Sequence, residues 1–147
     1  MKYLIFFIFF TNLFSKEILG EIDKFNLPLF NLNNIEARID TGAKTSSIHA
    51  TKIEIIENKY VKFLVLGKYQ FLEPVYKIQE VKSSNGQKSK RVFIKNKIEI
   101  FDKDYEIILS LNDRKNMKFP LLIGRELLEK GFIVDVSKQN LSFSKID

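Results

Sequence analysis

The sequence predicts a mainly β protein, a small closed β-barrel with one short C-terminal helix. Two observations carry that reading. Short apolar and alternating runs recur along the chain at regular spacing, separated by turn residues. One late segment, Gly124-Arg125-Glu126-Leu127-Leu128-Glu129-Lys130-Gly131, instead has good helix formers and a glycine stop. A length of 147 residues fits one domain at roughly 100–200 residues per domain.

The elements follow in order. Residues 1–15 stand apart: Met1-Lys2 is a positive start, the stretch from Tyr3 to Phe14 is almost wholly apolar, and Ser15-Lys16-Glu17 returns to polar residues. This is the layout of a secretory signal, and the run falls short of the ~20 apolar residues a spanning helix needs. Leu13 is a poor fit three places before a cut after Ser15, so an uncleaved anchor is the second reading and a buried N-terminal strand the third. The expectation is export to the periplasm. Residues 16–34, asparagine-rich with Pro28 between leucines, read as a lead-in strand or loop, and 35–147 as the folded domain. Within it, residues 35–40 alternate, with Ile35, Ala37 and Ile39 on one face. Strands are expected over 48–56, 60–66, 69–72, 75–81, 91–100, 105–111, 132–136 and 141–143. Asn58-Lys59 and Gly67-Lys68 are candidate turns. Ser83-Ser84-Asn85-Gly86 is a stronger one, because Asn-Gly suits the positive φ angles of a type I′ hairpin.

Composition narrows the chemistry. Hydrophobic residues make up 45% and charged residues 29%, a balance that excludes a disordered chain and a polytopic membrane protein. With no cysteine, disulfide scaffolds, thiolate zinc sites, iron–sulfur clusters, cysteine nucleophiles and a lipoprotein anchor are excluded. A single histidine, His49, is little to build a Ser-His-Asp triad on. The net charge of +6 comes from scattered lysines without interleaved aromatics, which argues against nucleic acid as a partner. Lys82, Lys88, Lys90 and Arg91 either attract an acidic peptide or polyanion or form a solvated charged edge that resists edge-to-edge aggregation.

The sharpest local feature is Ala37-Arg38-Ile39-Asp40-Thr41-Gly42-Ala43. A strand delivers the Asp40 carboxylate to a fixed point, Thr41 can bond backbone or a partner subunit, and Gly42 lets backbone turn sharply beside a substrate. Alone, Asp-Thr-Gly is also an ordinary turn. Downstream lies a second feature, Leu121-Leu122-Ile123-Gly124-Arg125-Glu126-Leu127-Leu128. The two together resemble the retroviral-type, or retropepsin, aspartic proteases.

The stretch from Ala37 to Ala50, with Asp40-Thr41-Gly42-Ala43-Lys44-Thr45-Ser46-Ser47-Ile48-His49, is similar to the signature of a bacterial retropepsin-like family commonly labelled "ATP-dependent zinc protease". Ser83-Ser84-Asn85-Gly86-Gln87 with Arg91 is similar to its turn block. Asp113-Arg114, Met117 and the run from Phe119 to Arg125 are similar to its C-terminal block, and Val134-Asp135-Val136-Ser137 to its closing strand. The chain departs from the pattern at Asn112, where a threonine is usual, and at Ser89, where an acid is expected. The resemblance implies a retropepsin-like barrel and an aspartic endopeptidase acting on peptide or isopeptide bonds. Asp40 would be catalytic, with Thr41, Gly42 and Ala43 forming the active-site loop. Ser84, Asn85, Gly86 and Arg91 would belong to a flap near the substrate, or to a plain exposed hairpin. His49, Asp113, Arg114, Gly124 and Arg125 would be structural residues near the site.

The residues do not suit the label. Zinc proteases need several His, Asp or Glu ligands, whereas this chain has one histidine, no HExxH and no Gly-rich phosphate loop. The expectation is therefore neither metal nor ATP nor any other cofactor. Aspartic catalysis needs two carboxylates sharing a proton, and the chain has one Asp-Thr-Gly, so the resemblance implies a homodimer with one Asp40 from each copy. Export favours a periplasmic peptide or a cell-envelope partner as substrate. Two alternatives stay open: a non-catalytic peptide-binding or envelope-protein-binding module on the same barrel, and metal-dependent hydrolysis as the label suggests.

Overall fold

In the computed structural model, residues 15–82 and 88–142 are described. All but Ser15 of the expected signal or anchor over 1–15, the Ser83-Ser84-Asn85-Gly86 turn and the end of the strand expected over 141–143 therefore lie outside the described residues. Among the described residues, no helix is long and apolar enough to cross a membrane.

Ten strands make up the fold: β1 (Glu17–Leu27), β2 (Leu32–Ile39), β3 (Ser46–Ile56), β4 (Tyr60–Val65), β5 (Tyr69–Pro74), β6 (Lys77–Lys82), β7 (Lys88–Ile100), β8 (Lys103–Asn112), β9 (Leu121–Ile123) and β10 (Phe132–Gln139). A 3-10 turn at Pro28–Phe30 joins β1 to β2, and one helical turn, α1 (Arg125–Leu128), precedes β10. Strands β1, β2, β9, β3, β8 and β7 follow one another around a ring, and Asn26 of β1 opposite Glu99 of β7 is the pair that brings its ends together. One seam thus rests on a single residue pair. The architecture is a ring of strands more than a barrel with a full ladder at every seam. Strand β10 adds to β1 outside the ring, β6 to β7, and β4–β5 extend β3.

Local sequence explains the sharp corners. Two consecutive positive φ angles occur at Glu57-Asn58, Leu66-Gly67 and Phe101-Asp102, the geometry of the two-residue turns that match strand twist. At the first two, the backbone bonds Lys59 N–H to Ile56 O (3.0 Å) and Lys68 N–H to Val65 O (3.2 Å) close the turn. The alternation in β2 buries Leu32, Ile35, Ala37 and Ile39 and exposes Asn33, Glu36 and Arg38. Those four pack into one core with Leu19, Phe25 and Leu27 of β1, Ile48 of β3, Ile94 and Ile98 of β7, Leu109 of β8, Leu121 and Ile123 of β9 and Leu127 of α1. Phe30, Phe63 and Phe71 stack at one end, with ring centroids 4.2–6.1 Å apart. The lead-in residues are thus central: Leu19, Phe25 and Leu27 are fully buried.

One buried acid ties the chain end to the core. Asp23 is completely inaccessible and accepts the N–H groups of Gly20 (3.1 Å), Lys24 (3.1 Å), Leu141 (3.3 Å) and Ser142 (2.9 Å), together with the Ser142 hydroxyl. The expected last strand is therefore not extended at Leu141 and Ser142. β10 stops at Gln139, Asn140 takes a left-handed φ of 57°, and the backbone turns in to meet the carboxylate. Gly20 allows this approach, because a Cβ there would overlap the Lys138 carbonyl and sit 2.8 Å from the Gln139 Cα.

Removing the Asp23 carboxylate orphans several buried donors, at about 1–3 kcal/mol each before relaxation. Asp23→Ala is expected to lower the urea-unfolding free energy by at least about 2 kcal/mol. Gly20→Ala, which forces backbone apart, should lower it by about 1–3 kcal/mol. An unchanged midpoint for either would contradict the latch.

Candidate active site

Asp40 directly follows β2, and its position is set by a neighbour far along the chain. Parallel pairing places Ala37, Arg38 and Ile39 beside Leu121, Leu122 and Ile123 of β9, and Asp40 N–H extends that ladder to Ile123 O at 2.9 Å. The backbone then turns back on the acid. Gly42 and Ala43 N–H groups donate to Asp40 Oδ1 at 2.8 and 3.2 Å, and Ala43 N–H also reaches Asp40 O at 3.3 Å. Two amides on one oxygen hold the carboxylate in a single orientation. Gly42 suits the tight turn, since a Cβ there would lie 3.1 Å from that oxygen. Asp40 and Ala43 are half-buried, and Thr41 and Gly42 are exposed.

The Gly124–Arg125 segment grips this loop from behind. The first N–H groups of a helix have no partner inside it, and here Arg125 and Glu126 donate theirs to the carbonyls of Ala43 (2.9 Å) and Lys44 (3.0 Å). The Arg125 side chain continues the pattern, with Nη1 donating to both Thr41 O and Gly42 O at 3.0 Å. Gly124 N–H donates to Ser46 Oγ at 3.0 Å. A Cβ on Gly124 would lie 2.7 Å from the Thr45 carbonyl carbon and 2.8 Å from its oxygen, so only glycine lets the two segments touch.

Buried hydroxyls and an amide support the floor. Ser46, Ser47 and Ser110 are buried. Ser110 Oγ donates to Ser46 O (3.2 Å), and Asn112 Nδ2 donates to both Ser47 Oγ and Ser110 Oγ (2.9 Å each). Asn112, at the position where the family pattern has threonine, thus uses both amide hydrogens to bridge β3 and β8. Sequence reasoning missed these serines, which sit inside a segment that otherwise reads as motif.

His49 lies on β3, its side chain 16% exposed. Its Nδ1 accepts the Arg114 N–H at 2.8 Å, so the tautomer follows: the ring proton sits on Nε2. Asp113 Oδ1 lies 3.8 Å from the same nitrogen, but that nitrogen is already an acceptor, so the contact is a near approach and no ion pair. Asp113 and Arg114, adjacent in sequence, turn to different partners. Asp113 accepts Lys115 N–H at 3.0 Å, while Arg114 Nε donates to Phe119 O at 3.2 Å. Burial pulls the Arg114 guanidinium below its usual pKa, and the Asp40 carboxylate pushes it back up. Arg114 is therefore a cation within electrostatic reach of the acid. Arg91 is exposed on β7, opposite Gln79 of β6. Residues 83–87 join these two strands, with Lys82 opposite Lys88 as the last pair before them. Among the described residues, no three His, Asp or Glu side chains converge as metal ligands would.

The chain matches, over residues 18–145, the model of a family described as RimB-like, retropepsin-like aspartic endopeptidase RimB. It is similar to a protein from Desulfotalea psychrophila named "probable alpha-L-glutamate ligase", 31% identical over 85% of this chain and 29% of that protein. A protein of the same name from Shewanella pealeana is 31% identical over 84% of this chain and 29% of its own length. The chain thus spans less than a third of these curated relatives. Among solved structures, Lpg0085 from Legionella pneumophila, a DUF785 protein of unknown function, superposes with a TM-score of 0.72 at 32% identity, covering 87% of this chain and 99% of that one. With its Asp-Thr-Gly loop closed by the late Gly-Arg turn, this chain belongs to the RimB-like family of retropepsin-like aspartic endopeptidases.

Proposed function

We propose that the protein is an aspartic endopeptidase whose active site forms between two copies of the chain, each contributing Asp40. The observation that carries this reading is the Asp40 carboxylate, held by the Gly42 and Ala43 amides in a loop that Arg125 braces from behind. In such a dyad one carboxylate is ionised and its partner protonated, because like charges ~3 Å apart cannot both ionise. The ionised carboxylate takes a proton from water as the oxygen attacks the scissile carbonyl carbon. The protonated one donates to the carbonyl oxygen. Collapse of the tetrahedral intermediate breaks the C–N bond, and the proton taken from water passes to the leaving amine.

The substrate class we propose is a peptide or isopeptide bond next to glutamate. Support comes from the ligase-named relatives, in which a region similar to this chain forms part of a longer protein whose name concerns glutamate addition. The apolar first residues support export, which would place the substrate in the periplasm or cell envelope.

Purified protein incubated with glutamate-rich peptides is expected to give new termini by mass spectrometry, and Asp40→Asn to reduce the rate at least about a hundredfold. Mixing variant and wild-type chains should lower activity as the square of the wild-type fraction, since both copies must supply the acid. Cleavage surviving in Asp40→Asn rejects the mechanism; activity abolished by a chelator and restored by zinc would instead favour the metal reading. Arg125→Ala removes the bonds to Thr41 O and Gly42 O, so it should depress kcat by at least about tenfold through a loosened loop. Intact activity in that folded variant would show that the brace is dispensable.

A further inference from the structure

We propose that Glu17 is the docking site for a new chain terminus: cleavage between Ser15 and Lys16 creates an ammonium on Lys16, which the Glu17 carboxylate binds. The inference rests on the export reading and goes beyond it by giving the cut a place in the fold. The bond to be cut is accessible, since Ser15 and Lys16 are exposed and precede the first strand. The sheet begins one residue later, where Glu17 N–H donates to Gly131 O at 3.2 Å and Glu17 pairs in register with Phe132 of β10. Among the described residues the core starts at Leu19, so this cut spares all of it.

Glu17 has one oxygen engaged and one left over. Oε1 accepts Lys103 Nζ at 3.0 Å, whereas Oε2 is buried with no hydrogen-bond partner among the described residues. A buried carboxylate oxygen without a partner is costly, so this position calls for a donor. Glu17 also lines a cavity of about 340 Å³, together with Ser15, Lys16, Phe101 and Lys138. Lys138 is already committed, with Nζ 3.4 Å from Asp135 Oδ2. The Lys16 nitrogen lies one residue before Glu17, about 3.8 Å of chain, within reach of that side chain.

The chemistry of the cut supplies the donor. While Ser15 is attached, the Lys16 nitrogen is a neutral amide with one hydrogen. Hydrolysis by a signal endopeptidase adds water across the C–N bond. It leaves a carboxylate on Ser15 and an ammonium with three hydrogens on Lys16. The new positive charge meets the Glu17 carboxylate in a charge-assisted hydrogen bond and fastens the start of β1 where it pairs with β10. Removal of the leader thus adds a contact that the uncut chain cannot make.

The test uses the full chain expressed in a Gram-negative host and fractionated into periplasm, membrane and cytoplasm. Intact mass of the periplasmic protein is expected to show a chain beginning at Lys16. Selective acetylation of its α-amine removes the charge and should lower the thermal midpoint by about 2–5 °C. In the Glu17→Gln protein the same acetylation should shift the midpoint by less than about 1 °C, and the lost Lys103 bond cancels because both forms of the variant lack it. No shift on acetylating wild type, or equal shifts in wild type and variant, overturns the docking even where the chain begins at Lys16. A different first residue, or an uncut chain held in the membrane, overturns it and leaves export standing. An uncut chain in the cytoplasm sinks the export reading as well.

Discussion

The structure depends on one contact between distant parts of the chain, the grip of residues 123–126 on the loop that carries Asp40. Ile123 O, the Arg125 and Glu126 N–H groups and the Arg125 guanidinium meet five backbone groups between Asp40 and Lys44. Neither side stands alone. The loop exposes carbonyls that a barrel strand would pair with a neighbour, and the helix start exposes N–H groups that no helix satisfies. Each supplies what the other lacks. Arg125 suits its place because its planar guanidinium can bond two carbonyls with one nitrogen while remaining charged.

That contact constrains the ring around it. For Ile123 to lie beside Asp40, β9 must run parallel to β2 and antiparallel to β3 at once, so a three-residue strand is wedged between two longer ones. Its buried residues Leu121 and Ile123 are fully inaccessible, and a strand this short gains its order from packing on both sides. His49 helps fix where β9 begins. Its N–H donates to Pro120 O at 2.7 Å, and its ring accepts from Arg114, whose side chain reaches Phe119 O. The lone histidine therefore ties the segments at Arg114 and Pro120 to β3 through backbone groups.

Much of this was legible in the sequence, and the parts that were not share a cause. The strand leading to Asp40 announces itself by alternation, and the Asp-Thr-Gly and Gly-Arg pieces by their residue types, because each is a local pattern. Asp23 gave no such signal. An aspartate between Ile22 and Lys24 reads as an outward position of a half-buried strand, and the donors that justify its burial come from 118 and 119 residues away. The strand expected over 141–143 is absent at Leu141 and Ser142 for the same reason, since Asn140 turns the chain inward to reach that acid.

Everything that shapes the Asp40 loop comes from within the chain's own residues 39–126. The loop amides, the Gly124-Arg125 turn, the serine and Asn112 floor and the His49 tie are all internal. The hydrogen bonds that shape the Asp40 loop are therefore all made within one copy of the chain. The similar region makes up nearly the whole of the Legionella chain and less than a third of the ligase-named proteins. The chain has one Asp-Thr-Gly, so the dyad of the proposed mechanism would take its second carboxylate from another copy, by a two-fold pairing of identical surfaces.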